Sequence, residues 1–125
     1  MKIAIAASEA APFVKTGGLG DVMQALPEAL SKLPNNEICL FLPLYGVMKR
    51  SGRFELEYEG EFYISLAWRH SYVGLYRLKS RRKKLRVYFI DNEQYFDRQP
   101  IYGQGDDAER FAFFSMAVIE FMLAT

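Results

Sequence analysis

Two short apolar runs, residues 2–7 and 37–42, dictate the core of this fold. A strand apolar along its whole length needs cover on both faces, as in a parallel sheet flanked by helices. Between the runs, Pro12 and the pair Gly17-Gly18 mark a loop. Val22, Leu26, Ala29, Leu30 and Leu33 then recur at helical spacing, predicting a helix over about 19–33 with that stripe on its buried side. Pro27 interrupts the stripe and is expected to remove a hydrogen bond or bend the helix, which Pro34-Asn35-Asn36 ends. Strand, glycine loop, helix and strand make one βαβ unit with parallel strands and a right-handed crossover. Ligands of open α/β sheets bind beyond the carboxyl ends of such strands, so residues 8–18 fall at a site.

The middle of the chain has a different texture. Residues 54–68 and 72–79 alternate in part, and Leu85-Arg86-Val87-Tyr88-Phe89-Ile90 reads as another strand. These predict antiparallel excursions with hairpin turns near 69–71 and 80–84. Residues 91–105 read as a polar, aromatic loop, followed by a helix over about 107–124. Asp106 and Glu109 form a capping-box-like pattern at its start. Phe111, Phe114, Val118, Phe121 and Met122 share one stripe, while Ala112, Phe113, Met116 and Ile119 lie on other faces, so this helix needs cover on more than one side. The fold class is therefore α/β, a parallel sheet with antiparallel hairpin excursions, in a single domain for 125 residues.

Composition narrows the function. Ten Phe and eight Tyr can fill a core, and a net charge of +1 gives no field to draw in nucleic acid or a membrane. Cys39 is the only cysteine, which excludes an internal disulfide and a multi-cysteine metal site; inside Ile38-Cys39-Leu40-Phe41-Leu42 it reads as a buried small hydrophobe. The apolar run after Lys2 is too short for a secretion signal and meets Ser8-Glu9 at once. No stretch approaches the ~20 apolar residues of a membrane helix. The expected setting is the cytoplasm.

The strongest chemical signal is Lys15-Thr16-Gly17-Gly18-Leu19-Gly20-Asp21, between the first strand and its helix. Glycines let backbone N–H groups approach an anion, the helix N-terminus adds partial positive charge, and Lys15 adds a full one. Together they suit a diphosphate, although a glycine turn that merely joins strand to helix has the same spacing. The segment is not a phosphate-binding loop of the Gly-Lys-Ser/Thr kind, because its lysine precedes the glycines. As a dinucleotide fingerprint it fails at Met23, and no acid follows Leu42-Pro43 to hold a ribose. Two other classes stay open: a different nucleotide-binding Rossmann-like enzyme, and a non-enzymatic polyanion-binding module using the basic turn 79–84.

Beyond this loop, Ser8-Glu9-Ala10-Ala11-Pro12-Phe13, the Lys15–Asp21 segment and Ala25-Leu26-Pro27 closely resemble the opening of bacterial glycogen synthases and plant starch synthases. A second ordered block agrees: Phe89-Ile90-Asp91-Asn92, Tyr95-Phe96-Asp97-Arg98, Tyr102-Gly103 and Ala108-Glu109-Arg110-Phe111. The resemblance is weak only over about 47–84. It departs at Asp107, where Asn is expected, and at Arg98-Gln99-Pro100, where Arg-Pro-Gly is usual.

The resemblance implies a GT-B glycosyltransferase of two Rossmann-like domains, with residues 1–125 an incomplete N-terminal, acceptor-side domain. A later Asp-Trp-His segment and a C-terminal nucleotide-binding domain would lie outside them. It implies transfer of glucose from ADP-glucose to the non-reducing end of an α-1,4-glucan with retention, without metal ion or organic cofactor. Lys15 matches the lysine at the donor diphosphate, Gly17 and Gly18 the loop against the donor, Asp21 an acidic residue needed in the site, and Tyr102 a loop tyrosine at the sugar side.

The remaining candidates have plainer readings. Lys79-Ser80-Arg81-Arg82-Lys83-Lys84 reads as a solvated turn, His70 as a turn residue, Tyr95 and Phe96 as loop packing, and Asp91 and Asp97 as turn caps. Taken alone, residues 1–125 are expected to be inactive and to self-associate through an unpaired sheet edge and the apolar last helix.

Overall fold

The computed structural model describes residues 1–66 and 68–124. Its elements are β1 (Lys2–Ala6), α1 (Gly18–Ser31), β2 (Glu37–Pro43), α2 (Gly46–Ser51), β3 (Leu56–Leu66), β4 (Arg69–Leu78), β5 (Leu85–Asp91), α3 (Glu93–Phe96) and α4 (Asp107–Ala124). One five-stranded sheet runs in the order β1-β2-β5-β4-β3. The pairs β1–β2 and β2–β5 are parallel, whereas β4 is antiparallel to both of its neighbours. Both the βαβ unit and the antiparallel excursion are thus as expected.

Both faces of the central strands are covered, the reason residues 37–42 carry no polar alternation. Leu40, Leu42, Val87 and Phe89 pack with Ala10 and Met48, and Met23 of α1 lies against them. On the opposite face Phe41, Tyr88 and Ile90 meet Phe113, Phe114, Ala117 and Val118 of α4. Cys39 is only half-buried on that second face, not fully buried as expected.

Helix α1 turns a different stripe inward from the one its hydrophobicity selects. Val22, Leu26 and Leu33 are 53%, 41% and 52% exposed, while Gly20, Pro27 and Ser31 are buried. The two stripes lie on largely opposite sides, about 140° apart around the helix. Small or compact residues let the helix approach the sheet and the loop before it, and this closeness outweighs the greater hydrophobicity of the outward stripe. Pro27 remains inside the helix, which continues to Ser31.

Four further expectations change. The first hairpin turn lies at Trp68, before residues 69–71; Ala67 lies outside the described residues. His70 and Ser71 belong to β4, paired with Ser65 and Ile64. The 91–105 stretch contains the short helix α3, capped by the Asn92 side chain, which accepts from the Tyr95 amide at 3.1 Å. Helix α2, unassigned in the sequence, follows Tyr45. The capping box of α4 does not form: Asp106 pairs with Arg98, and the Glu109 carboxylate accepts from the Tyr95 hydroxyl at 2.5 Å. The buried stripe of α4 is Arg110, Phe113, Phe114, Ala117 and Val118; Phe111 is half-buried, and Ile119 and Met122 are exposed. Among the described residues no helix is long and apolar enough to cross a membrane.

Candidate anion site at the carboxyl edge

The carboxyl ends of β1, β2 and β5 deliver Ser8-Glu9, Tyr45 and the segment leading to Tyr102 to one edge of the sheet. The loop after β1 folds back on itself through an Ala10–Val14 bridge, and the Ala11 amide donates to the Gly20 carbonyl at 2.9 Å, tying loop to helix. At the centre sits Glu9, 3% exposed. Its carboxylate accepts from the Thr16 amide (2.8 Å), the Thr16 hydroxyl (2.7 Å), the Gly17 amide (3.2 Å) and the Tyr102 hydroxyl (2.7 Å). Burial by itself would raise the Glu9 pKa; the Thr16 amide, Tyr102, the Thr16 hydroxyl and the Gly17 amide outweigh it and hold the group at about 2. Glu9 is therefore a fixed negative charge.

Tyr102 is held within this network. Its oxygen lies 2.6 Å from Ser8 Oγ, and Tyr45 in turn donates to the Ser8 carbonyl at 2.7 Å. Burial first, opposed by Ser8 and reinforced by Glu9, pushes the Tyr102 pKa to about 12, so it stays a neutral donor. Burial raises the Tyr45 pKa as well.

Lys15 and Asp21 form the outer part of the site. Their charged atoms are 3.0 Å apart, and both side chains are about half exposed. The Lys15 stem crosses directly over Gly20: a Cβ there would sit 2.7 Å from Lys15 Cγ and 2.9 Å from Glu9 Oε2. Gly17 has extended backbone (φ −166°, ψ −159°), and a Cβ added at Gly17 or Gly18 would meet nothing within 4 Å. Neither conformation nor crowding within these residues calls for glycine at 17 or 18.

The geometry corrects one expectation. Of the glycine-loop amides that the sequence offers to an anion, that of Gly17 is turned inward onto Glu9, together with the Thr16 amide. Gly18 and Leu19 remain as the first helical amides that α-helix geometry leaves without an intrahelical acceptor. The sequence reading missed Glu9, Gly20 and Arg110. An acid separated by one residue from the apolar run Ile3–Ala7 was the available signal for Glu9. Arg110, fully buried, donates to the carbonyls of Tyr95 (2.7 Å) and Ile101 (2.9 Å) and to Asp107 (2.9 Å), fixing the loop that presents Tyr102. Asp107 also accepts from the Gly103 and Gln104 amides at 2.8 and 3.0 Å through its two oxygens. The side-chain oxygen of an Asn could serve only one of those positions.

The other candidates lie apart from this cluster. Asp91 pairs with Lys49 at 2.9 Å and Asp97 with Arg50 at 2.5 Å, so ion pairing, not turn capping, occupies both carboxylates. His70 stacks on Tyr63 and meets Ser65 on the outside of the hairpin. Tyr95 and Phe96 are buried packing. The basic turn is pinned as well as solvated: Arg82 donates to Glu28 through its two terminal nitrogens (2.6 and 2.9 Å), and Lys84 donates to the Leu33 carbonyl. Among the described residues no group of His, Cys, Asp and Glu could hold a metal ion.

The fold has a solved counterpart. It matches the catalytic domain of starch synthase IV from Arabidopsis thaliana, a structure bound to ADP and acarbose, with a TM-score of 0.81 and 29% identity over 98% of this chain and 25% of that one. The class so defined is a Rossmann-like domain of a GT-B glycosyltransferase. Residues 2–125 match the family model described as the starch synthase catalytic domain, and the chain belongs to that family. The glycogen synthases of Ligilactobacillus salivarius (strain UCC118) and Streptococcus equi subsp. zooepidemicus (strain H70) are 44% and 48% identical over 98% of this chain. That of Bacillus subtilis (strain 168) is 45% identical over 96%. The chain spans about a quarter of the length of these relatives.

Proposed function

We propose that this chain forms the N-terminal, acceptor-side part of a glucosyltransferase that moves glucose from ADP-glucose to the non-reducing end of an α-1,4-glucan with retention, in the cytoplasm. The observation that carries the reading is the pairing of a half-exposed Lys15 with Asp21 at the start of α1, beside two glycines whose Cβ positions are open. The ADP in the solved relative supports a nucleoside diphosphate at this edge.

As the glucosyl–phosphate bond breaks, negative charge grows on the departing diphosphate. Donors fixed in advance stabilise that charge more than they stabilise the ground state. Lys15 contributes a full positive charge, and Gly18 and Leu19 contribute amides at the positive end of α1. Gly17 and Gly18 keep side-chain atoms out of the approach. Asp21 holds the Lys15 ammonium in place until the anion arrives, and Tyr102 lines the sugar side. Residues 1–125 by themselves supply one wall of such a site, so we expect donor affinity in the millimolar range or weaker, no transfer, and self-association through β1 and the exposed apolar residues of α1 and α4.

The test is Lys15→Ala in the full-length enzyme. One such donor accounts for roughly 3 kcal/mol, a loss of about 10²–10³-fold in kcat. Activity within threefold of wild type removes the assignment. The glycine spacing disfavours another nucleotide-binding enzyme, and tighter binding of NAD than of ADP-glucose would revive it. The pinning of Arg82 to Glu28 of α1, and of Lys84 to the Leu33 carbonyl just beyond that helix, disfavours a polyanion-binding module.

A further inference from the structure

We propose that Glu9 is a positioning residue: its buried carboxylate acts as an internal anion that claims the Thr16 and Gly17 amides and so aims Lys15 and the Gly18 and Leu19 amides at the donor. The inference rests on the proposed function for its ligand, but its structural half stands alone. Four donors converge on one side chain that is 3% exposed, and three of them belong to Thr16 and Gly17, the residues between Lys15 and the helix. Without a carboxylate in that place, the inward amides would have no acceptor, and the loop would be free to turn them outward.

The same carboxylate sets the path of Lys15. Its Oε2 and the Lys15 stem both occupy the space beside Gly20 that a Cβ would fill. Lys15 therefore runs in a channel bounded by Glu9 and the first turn of α1 before reaching Asp21. Tyr102 enters through Glu9. Its hydroxyl is committed to Glu9 Oε1 at 2.7 Å and Ser8 Oγ at 2.6 Å, which makes the loop before α4 a second brace for the carboxylate. On this account Glu9 touches neither sugar nor phosphate. It acts through Lys15 and the loop amides.

The test uses Glu9→Gln in the full-length enzyme, read in two ways. Hydrogen exchange of the peptide covering residues 14–20 reports the loop directly. Donor and acceptor kinetics report its consequence. Expected are at least tenfold faster exchange in that peptide, a donor KM raised tenfold or more, and a glucan KM changed less than twofold. A residue with only a structural role would lower the yield of active enzyme and the melting temperature without separating the two KM values. Tyr102→Phe should move the same readings in the same direction by less, and add little when combined with Glu9→Gln.

Unchanged exchange in Glu9→Gln overturns the proposal, as does faster exchange with a donor KM within twofold of wild type. If Glu9→Gln fails to fold, Thr16→Val removes one of the four bonds and is judged by the same two criteria. Wild-type enzyme that transfers no sugar would defeat the proposed function, while the exchange measurement would still decide whether Glu9 holds the loop.

Discussion

The two halves of this single sheet treat charge in opposite ways. Where β1, β2 and β5 run parallel, Glu9, Asp91 and Arg110 are buried and bonded to fixed partners. In the β3–β4 hairpin, Arg77 bridges to Glu57 and Glu59 across the strands, Lys79 faces Glu55, and every one of these groups keeps substantial contact with water. The hairpin also leaves Trp68 84% exposed and Tyr63 stacked on His70 at its surface. A buried charge must have its partners in place and so fixes geometry, whereas an exposed pair can exchange its partner for water at little cost. The parallel half is consequently where a site can be built. The hairpin extends the sheet.

Arg110→Ala should break this contrast most severely. It strips donors from the buried carbonyls of Tyr95 and Ile101 and empties the volume of a fully buried side chain. A loss of about 3–5 kcal/mol is expected in denaturant unfolding. A loss below 1 kcal/mol would show that the loop before α4 is held by other means, and that burial of charge does not distinguish the two halves.

Acid should probe the same half next. Glu9 has a folded-state pKa of about 2 against an ordinary value of 4.5. Its pKa is depressed on folding, so its contribution is complete above about 4.5 and is lost as pH falls toward 2. The shift corresponds to about 3 kcal/mol. Unfolding free energy measured from pH 6 to pH 2 should fall by about that amount beyond the loss in Glu9→Gln. Identical acid profiles for the two proteins would mean that the four bonds to Glu9 do not favour its ionised form.

Much of this was legible in the sequence, and the failures share a cause. Continuous apolar runs identified the parallel strands, and burial on both faces of β2 leaves no room there for polar alternation. Strand β1, expected to be covered on both faces, instead leaves Lys2, Ala4 and Ala6 exposed on one of them. The Lys15–Asp21 segment stood out because glycines are clustered where a strand meets a helix. What pattern reading missed was set by contacts between distant segments. Tyr102 and Glu9 lie far apart in sequence, and nothing local announces that one hydroxyl will meet one carboxylate. Gly20, Pro27 and Ser31 face inward because small residues let α1 approach the sheet, a criterion invisible to a hydrophobic stripe. Asp106 and Glu109 looked like a cap until Arg98 and Tyr95 supplied other partners. Long-range contacts override local rules most often where polar groups are buried, as at Glu9 and Arg110.

Within the site itself, Gly20 and Gly17 should separate packing from approach. Gly20→Ala forces a Cβ against the Lys15 stem and Glu9, an overpacking expected to cost about 1–3 kcal/mol in thermal or denaturant unfolding. Gly17→Ala meets no neighbour and needs no unusual backbone, so its unfolding free energy should change by less than about 1 kcal/mol while the donor KM rises. Equal stability losses in the two variants would refute the distinction.

The smallest expected effect returns to the surface. Arg82 and Glu28 form a two-pronged pair between the β4–β5 turn and α1, both side chains more than a third exposed. Water competes for each group and salt screens the pair, so Arg82→Ala should cost no more than about 1 kcal/mol and less still at high ionic strength. Donor and glucan kinetics should be unchanged, because the turn lies at the amino end of β5, away from the carboxyl edge. A rise in donor KM comparable with that of Glu9→Gln would show that the basic turn reaches the site through α1, and the division of the sheet into a working edge and a supporting one would then have to be redrawn.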